Sequence, residues 1–479
     1  MNVLAIDQGT STTKALVVSP ERGVLAAASL PLHQVVLSDG GVEQDPEELW
    51  TSVRDAGADA VARAREPVGA VGLANQGETV LAWDRGSLRP LSAAISWQDR
   101  RALGVCQALA PEGDRLTTIT GLPLDPYFAA PKMRWLREHV TRAGVCTTVD
   151  AWLLARLTGA FVTDAATASR TLLLDLDGGS WSPEACAAFA VDPASLPAIV
   201  DCAAPVGETT VFGPRLPLAG LAVDQQAALF AEGCHAAGEA KCTYGTGAFL
   251  LATVGEMRPR SRSRLAVCIA WRLGGQTTYC LDGQVYSAGA AVAWLQRLGL
   301  LRDAGDLDAV SGTVRDTGGV TFVPALAGLA APFWRPSARG ALTGLSLATT
   351  PAHLVHAAVE GLAAEVAWLA RAVATDLGRP LARLRADGGL TRSRKLMQAQ
   401  ADLLQAPVEV YPSPDATALG VAALAALGAR AVRDPHDAIG RWTPAAVFEP
   451  RIAASEAEAR LDAWRRVAEA AVALAPDPR

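Results

Sequence analysis

Two short stretches, about half the chain apart, restrict the fold more than anything else in this sequence. The first, AIDQGTSTTKALVV at residues 5–18, sets two apolar runs around a polar turn holding Gly9, Thr10, Ser11 and Thr12. Apolar runs interrupted by small polar residues read as strand, turn, strand. The second, KCTYGTGAFLLATV at residues 241–254, repeats the scheme around Gly245, Thr246 and Gly247. A repeat at half length predicts two similarly built halves, each opening with a β-hairpin. The chain has 479 residues, room for two or three domains, and is 50% hydrophobic against 19% charged, enough to fill separate cores. Global disorder is excluded.

Between and beyond the turns, short apolar runs alternate with longer helical patterns, which argues for α/β domains. Residues 67–84 (PVGAVGLANQGETVLAWD) read as two strands around a polar loop. Residues 46–64 read as a helix, with Asp45 as N-cap and Pro46 at its first position. Residues 131–140 predict another, and residues 351–378 a long amphipathic one ended by Gly378. The Arg/Ala/Glu-rich tail after Pro450 reads as a single surface helix. The small, polar segment EGCHAAGE at residues 232–239 is the candidate hinge, giving an N-terminal domain over residues 1–235 and a C-terminal one over 240–479.

A net charge of −6 argues against a dedicated nucleic-acid binder, without excluding a locally positive site for a small anion. The eight cysteines are scattered, with no C-x-x-C pair and no metal spacing, as expected of reduced thiols in a cytoplasmic protein. The opening MNVLAIDQGT lacks the basic segment of a signal peptide. The most apolar late stretch, residues 416–429, falls short of the ~18 apolar residues of a membrane span. A soluble protein without membrane insertion is expected.

Small residues at 9–12 let backbone N–H groups point into a concave space suited to phosphate oxygens. Asp7, ending the first strand, could hold hydrated Mg²⁺, a hard ion that prefers carboxylates and water. Lys14 adds a cation. Two such loops facing each other could grip a polyphosphate, whereas either alone is equally an ordinary capped hairpin. Other nucleotide and hydrolase signatures are missing: no Gly-Lys dipeptide of a P-loop, no H-E-x-x-H, no G-x-S-x-G. Asp224, in GLAVDQQAALF, precedes a helical pattern. It could accept a hydroxyl proton, or simply cap the helix. In ADGGLTRSRKLMQAQADLL, residues 386–404, a glycine turn opens a helix, an arrangement suited to a base and ribose.

Taken in order, D-Q-G-T-S-T-T-K, N-Q-G-E-T, A-I-S-W-Q-D-R-R, D-P-Y-F, D-Q-Q, T-Y-G-T-G and the segment at residues 340–360 resemble the FGGY carbohydrate kinases, and within them the glycerol kinases. The resemblance runs from Val3 to about Gly428. It implies an actin-like (ribonuclease H-like) two-domain ATPase fold closing over MgATP and a polyol or sugar in the cleft. By position it assigns Asp7 to the metal, and Gly9, Thr10, Ser11, Lys14, Gly245, Thr246 and Gly247 to the phosphates. Gly289, Gly388, Gly389 and Ser393 fall to the adenosine side. Glu78, Trp97, Tyr127, Asp224, Gln225 and Phe249 fall to the acceptor, with Asp224 as catalytic base.

Several positions depart from that pattern. Lys14 stands for an arginine, Ser393 for an asparagine and Ala293 for a glutamine, so base contacts should be weakened or rearranged. Gly77 replaces the arginine beside the pocket glutamate. Loss of charged hydrogen bonds worth ~1.5–3 kcal/mol each should weaken glycerol at least about tenfold, and glycine leaves space. Residues 206–218 lack the loop through which some glycerol kinases answer fructose 1,6-bisphosphate, so no such inhibition is expected. The leading expectation is ATP-dependent phosphorylation of a primary hydroxyl, glycerol being the nearest acceptor. The alternatives are a kinase for a longer polyol or ketose, a weakly active polyol sensor, and a non-enzymatic ATP switch. Homo-oligomerisation is left open.

Overall fold

The computed structural model describes residues 1–475. The strands that place the site, numbered among themselves, fall in two sheets. The first contains β1 (Asn2–Gln8), β2 (Thr12–Ser19), β3 (Gly23–Pro31), β4 (Val68–Asn75), β5 (Glu208–Thr209) and β6 (Leu216–Val223), in the order β5-β6-β4-β1-β2-β3. The second contains β7 (Ala240–Tyr244), β8 (Ala248–Gly255), β9 (Ala266–Leu273), β10 (Gln276–Val285), β11 (Leu384–Asp387), β12 (Val408–Val410) and β13 (Ala446–Phe448), in the order β9-β10-β8-β7-β11-β12-β13. In each, an antiparallel hairpin (β1–β2, β7–β8) is followed across its first strand by a parallel partner (β4, β11). The half-length repeat is therefore a repeat of topology, and its two Gly-Thr turns are the tips of equivalent hairpins.

Seven helices matter here: α1 (Pro46–Ala64), α2 (Asp224–Ala231), α3 (Gly289–Arg297), α4 (Pro351–Leu377), α5 (Arg394–Leu404), α6 (Ala416–Gly428) and α7 (Ala454–Leu474). The start of α1 follows from its sequence: the Asp45 carboxylate accepts from Glu47 N–H, Pro46 opens the first turn, and Glu47 and Glu48 face its positive end. Helix α4 stops where Gly378 adopts φ 69°. Parallel pairs need crossovers, and α1 supplies one by burying Leu49, Trp50, Val53 and Ala60 against the first sheet.

Three sequence expectations gain detail. Residues 68–75 and 80–83 are two strands around a loop, as the sequence predicts: the former joins the first central sheet, while Val80–Trp83 pairs with Val145–Thr148 in another. The tail forms α7, yet Ala457, Leu461, Trp464, Ala468 and Ala471 are buried, a stripe at helical spacing packed on α4, α5 and the strand Thr321–Val323. Within residues 232–239, Glu232 and Cys234 are fully buried despite the polar composition.

Helix α6 comes from the second half of the sequence but lies on the first sheet, against β1, β4 and β6, and on α2. Glycines allow this approach. A Cβ on Gly72 of β4 would sit 2.5 Å from the Val421 carbonyl oxygen, and one on Gly420 or Gly428 would collide with the carbonyls of Ala227 or Ala219. All eight cysteines are free and buried. Among the described residues no helix is long and apolar enough to cross a membrane.

Candidate active site

The two hairpin tips converge on a cavity of about 270 Å³. Thr10 and Ser11 line it from one sheet, Thr243, Gly245, Thr246 and Gly247 from the other, and Asp224 and Gln225 from the start of α2. Its remaining walls include Gly77, Glu78, Trp97, Tyr127 and Phe249. Every acceptor-side residue singled out in the sequence thus reaches one space. Trp97 packs edge-to-face on Tyr127 (5.8 Å between centroids) and on Phe249 (5.9 Å), giving an apolar wall for a carbon chain. The Trp97 indole N–H donates to Thr10 Oγ1 at 3.0 Å, linking that wall to the first hairpin tip.

Asp224 occupies the first position of α2, where the Gln225 N–H donates to its Oδ1 at 2.7 Å. Burial pushes its pKa up to about 6, reinforced by the nearby Glu78 charge and offset by the Gln225 bond and Lys241. The carboxylate is hence poised near neutrality, as suits a group that must take a proton. Gln225 is held by Lys241, whose Nζ donates to its Oε1 and to Thr243 Oγ1, both at 2.6 Å.

Asp7 is pushed to about 7, first by burial and then by Asp224, with Asp415 and Asp387 acting the same way and Lys14 opposing. Among the described residues no side chain donates a hydrogen bond to its carboxylate. Among the described residues no group of three or more His, Cys, Asp or Glu side chains is placed to hold a metal ion, so any divalent cation here would lean on Asp7, phosphate oxygens and water. Lys14 meets Asp415 at 2.9 Å, so this cation ties the first hairpin to the residue just ahead of α6.

The second tip is fixed from behind. Ala288 and Ala290 N–H groups both donate to the Thr246 carbonyl at 3.0 Å, and Gly289 N–H to that of Gly245 at 2.9 Å. A Cβ on Gly289 would lie 2.6 Å from the latter oxygen. Gly388, at φ 93°, passes so close that a Cβ would sit 2.5 Å from the Tyr244 carbonyl oxygen. Gly389 has open space beside it. Ser393 is not free to meet a ligand: its hydroxyl bonds Asp308 and accepts from Leu396 N–H as the cap of α5. Ala293 lies one turn into α3.

Gly77 borders the cavity. A Cβ there would lie 2.8 Å from Val223 Cγ2, so a side chain at this position would press on the end of β6. The sequence reading missed Arg170. This arginine is 3% exposed, and its Nε donates to Glu78 Oε1 at 2.5 Å. One terminal nitrogen bonds Asp282 and Cys268 Sγ, the other the Tyr127 hydroxyl at 3.2 Å. Its signal was a single charge inside the run AATASRTLLL. A lone guanidinium in a buried apolar stretch demands acidic partners.

A family model for the N-terminal domain of the FGGY family of carbohydrate kinases matches residues 2–231, and one for its C-terminal domain matches residues 240–429. The chain belongs to the FGGY family of carbohydrate kinases. It is accordingly a phosphotransferase with an alcohol group as acceptor. Among FGGY relatives, it is 44% identical to a glycerol kinase of Alkalilimnicola ehrlichii, with 99% of each chain covered, and 43% to one of Thermus brockianus, with 98% of each. Its structure is similar to that of Plasmodium falciparum glycerol kinase with ADP (TM-score 0.90, 29% identity, 98% of each chain). It is also similar to that of a xylulose kinase from Brucella ovis (TM-score 0.86, 26% identity, 99% of this chain and 98% of that one).

Proposed function

We propose that this kinase transfers the γ-phosphoryl group of ATP to a primary hydroxyl of a short polyol, glycerol being the favoured acceptor. One observation carries the reading: a buried carboxylate, Asp224, lines a small aromatic-walled cavity between two hairpin tips built to face phosphate oxygens. The names of the relatives agree with it.

In this reading Asp224 accepts the proton from the attacking hydroxyl. Glu78 and Gln225 take the other hydroxyls, while Trp97, Tyr127 and Phe249 pack the carbon chain. Backbone N–H groups and hydroxyls of residues 10–11 and 246–247 face the phosphates, the Gly9 and Gly245 N–H groups being spent on Thr12 and Gly247 carbonyls within the turns, and Gly289, Gly388 and Gly389 border the adenosine. Asp7 would hold Mg²⁺, which when bound neutralises phosphate charge. Catalysis of this kind rests on positioning, so closure of the N-terminal domain (residues 1–235) on the C-terminal one (240–479) about residues 232–239 belongs to the proposal.

Incubation with MgATP and a panel of glycerol, longer polyols and ketoses tests it. ADP release should require an acceptor and be fastest with glycerol; preference for a ketose or longer polyol would replace the acceptor assignment. Asp224→Asn should lose at least ~100-fold in kcat with folding intact. Near-normal turnover in that variant would sink the role given to Asp224.

A further inference from the structure

The pocket's guanidinium comes from a place that no acceptor motif marks. Arg170 spends its donors on both halves of the chain: Glu78 and Tyr127 from the first, Asp282 and Cys268 from the second. Glu78 and Tyr127 border the cavity, whereas Asp282 and Cys268 lie on the neighbouring strands β10 and β9. The guanidinium also lies over the Tyr127 and Phe128 rings at 5.5 and 5.4 Å. Glu78 is itself constrained, holding φ 57° in a buried turn, so its carboxylate direction depends on what grips it. With Oε1 engaged by Arg170, Oε2 remains for an acceptor hydroxyl.

We propose that Arg170 is the positioning residue that assembles the acceptor pocket across the seam, holding Glu78 aimed at the acceptor only while Asp282 holds Arg170. The proposal rests on the kinase reading above and deepens its acceptor site. The charge balance supports it. Burial drives the Glu78 carboxyl towards its neutral form, and the Arg170 charge is the chief opposing influence. The other groups facing this cluster are Asp224, Tyr127, Cys268, Asp282 and Lys132. Lys132 cannot replace Arg170, because its ammonium already donates to the carbonyls of Pro126, Tyr127 and Phe128 at 2.9, 2.5 and 2.7 Å. The spare lone pairs lie on the second half: among the described residues Asp282 Oδ1 and Gln284 Oε1 are buried without partners, so the network is short of donors, not acceptors.

The test compares Arg170→Lys, Arg170→Met and Asp282→Asn with wild type, using whichever acceptor the wild-type enzyme phosphorylates. Arg170→Met should raise the acceptor KM at least tenfold and leave the ATP KM within about twofold. Its acidic limb in kcat/KM for the acceptor should move to higher pH, because Glu78 must then lose its proton unaided. Arg170→Lys should recover part of both effects. Asp282→Asn keeps the Glu78 contact, so a rise in acceptor KM there would come through the seam. It also carries the test together with Arg170→Lys should Arg170→Met fail to fold. Folded variants with wild-type acceptor KM and pH profile would overturn the proposal and leave Arg170 a structural ion pair. Absence of turnover in wild type would instead refute the kinase reading, so the two failures are distinguishable.

Discussion

Replacing Gly388 by alanine perturbs one atom's worth of space at the junction of β11 with the second phosphate turn. The residue sits at φ 93°, outside the region an L side chain adopts readily, and its missing Cβ would approach Tyr244 O, C and N at 2.5, 2.7 and 2.9 Å. All three are backbone atoms in β7, so no side chain can swing aside. Strain at positive φ contributes ~1–2 kcal/mol. Forcing β11 and the tip of β7 apart contributes a further ~1–3 kcal/mol. The variant should therefore lose about 2–5 kcal/mol of stability, read from denaturant unfolding. Because the shifted backbone carries Gly245–Gly247 with it, ADP affinity should also fall about tenfold or more by calorimetry, with acceptor binding less affected. Gly389→Ala is the internal control: its Cβ meets nothing within 4 Å, so stability should stay within ~0.5 kcal/mol of wild type. If both variants unfold alike, or Gly388→Ala binds ADP as tightly as wild type, the reasoning from close backbone approach is wrong.

Other outcomes follow from groups already placed. In the free enzyme, kcat/KM for the acceptor should fall with decreasing pH below about 6–7, since the proposed roles of Asp224 and Asp7 require the carboxylate forms and burial raises the two to about 6 and about 7. Raising the Mg²⁺ concentration should move the Asp7 part of that limb to lower pH; an Mg²⁺-independent limb would remove Asp7 from the metal site. Glu365 is buried in α4 with Oε2 unpartnered, and burial raises it from 4.5 to about 8. The folded state then keeps a proton that the unfolded chain releases, so stability should drop by up to ~1.4 kcal/mol per pH unit through that window and level off above it. Glu365→Gln should flatten the profile in thermal melts taken from pH 5 to 9. Gly420→Ala should destabilise by about 2 kcal/mol or more, because its methyl group would meet the Ala227 backbone; wild-type unfolding would show that α6 can lift off α2.

What the sequence made legible was what is local. The hairpin tips, the cap and proline of α1, and Asp224 at the start of α2 are each specified by neighbours a few residues away, where backbone geometry and side-chain chemistry coincide. Contacts between distant segments were not readable from spacing. Arg170 and Asp282 lie 112 residues apart, and only the pairing of β8 with β10 places the latter at the seam. The two strands around the polar loop after Asn75 are legible in the sequence, but not that Val80–Trp83 pairs in a different sheet. Ser393 was legible as a departure, but not as a helix cap whose hydroxyl is already bonded to Asp308 and Leu396.

The glycine-mediated seat of α6 has a consequence for the order in which this chain can mature. Residues 1–235 contain every strand of the first sheet, but the face around Gly72 and Gly220 is covered only when residues 416–428 arrive. During synthesis that face must wait for nearly 200 further residues. A fragment ending near residue 235 should consequently be sticky and poorly soluble, and adding α6 as a separate peptide should improve it. The halves are duplicates in topology without being independent in folding, and a genetic split at residue 235 would cut a single cooperative unit.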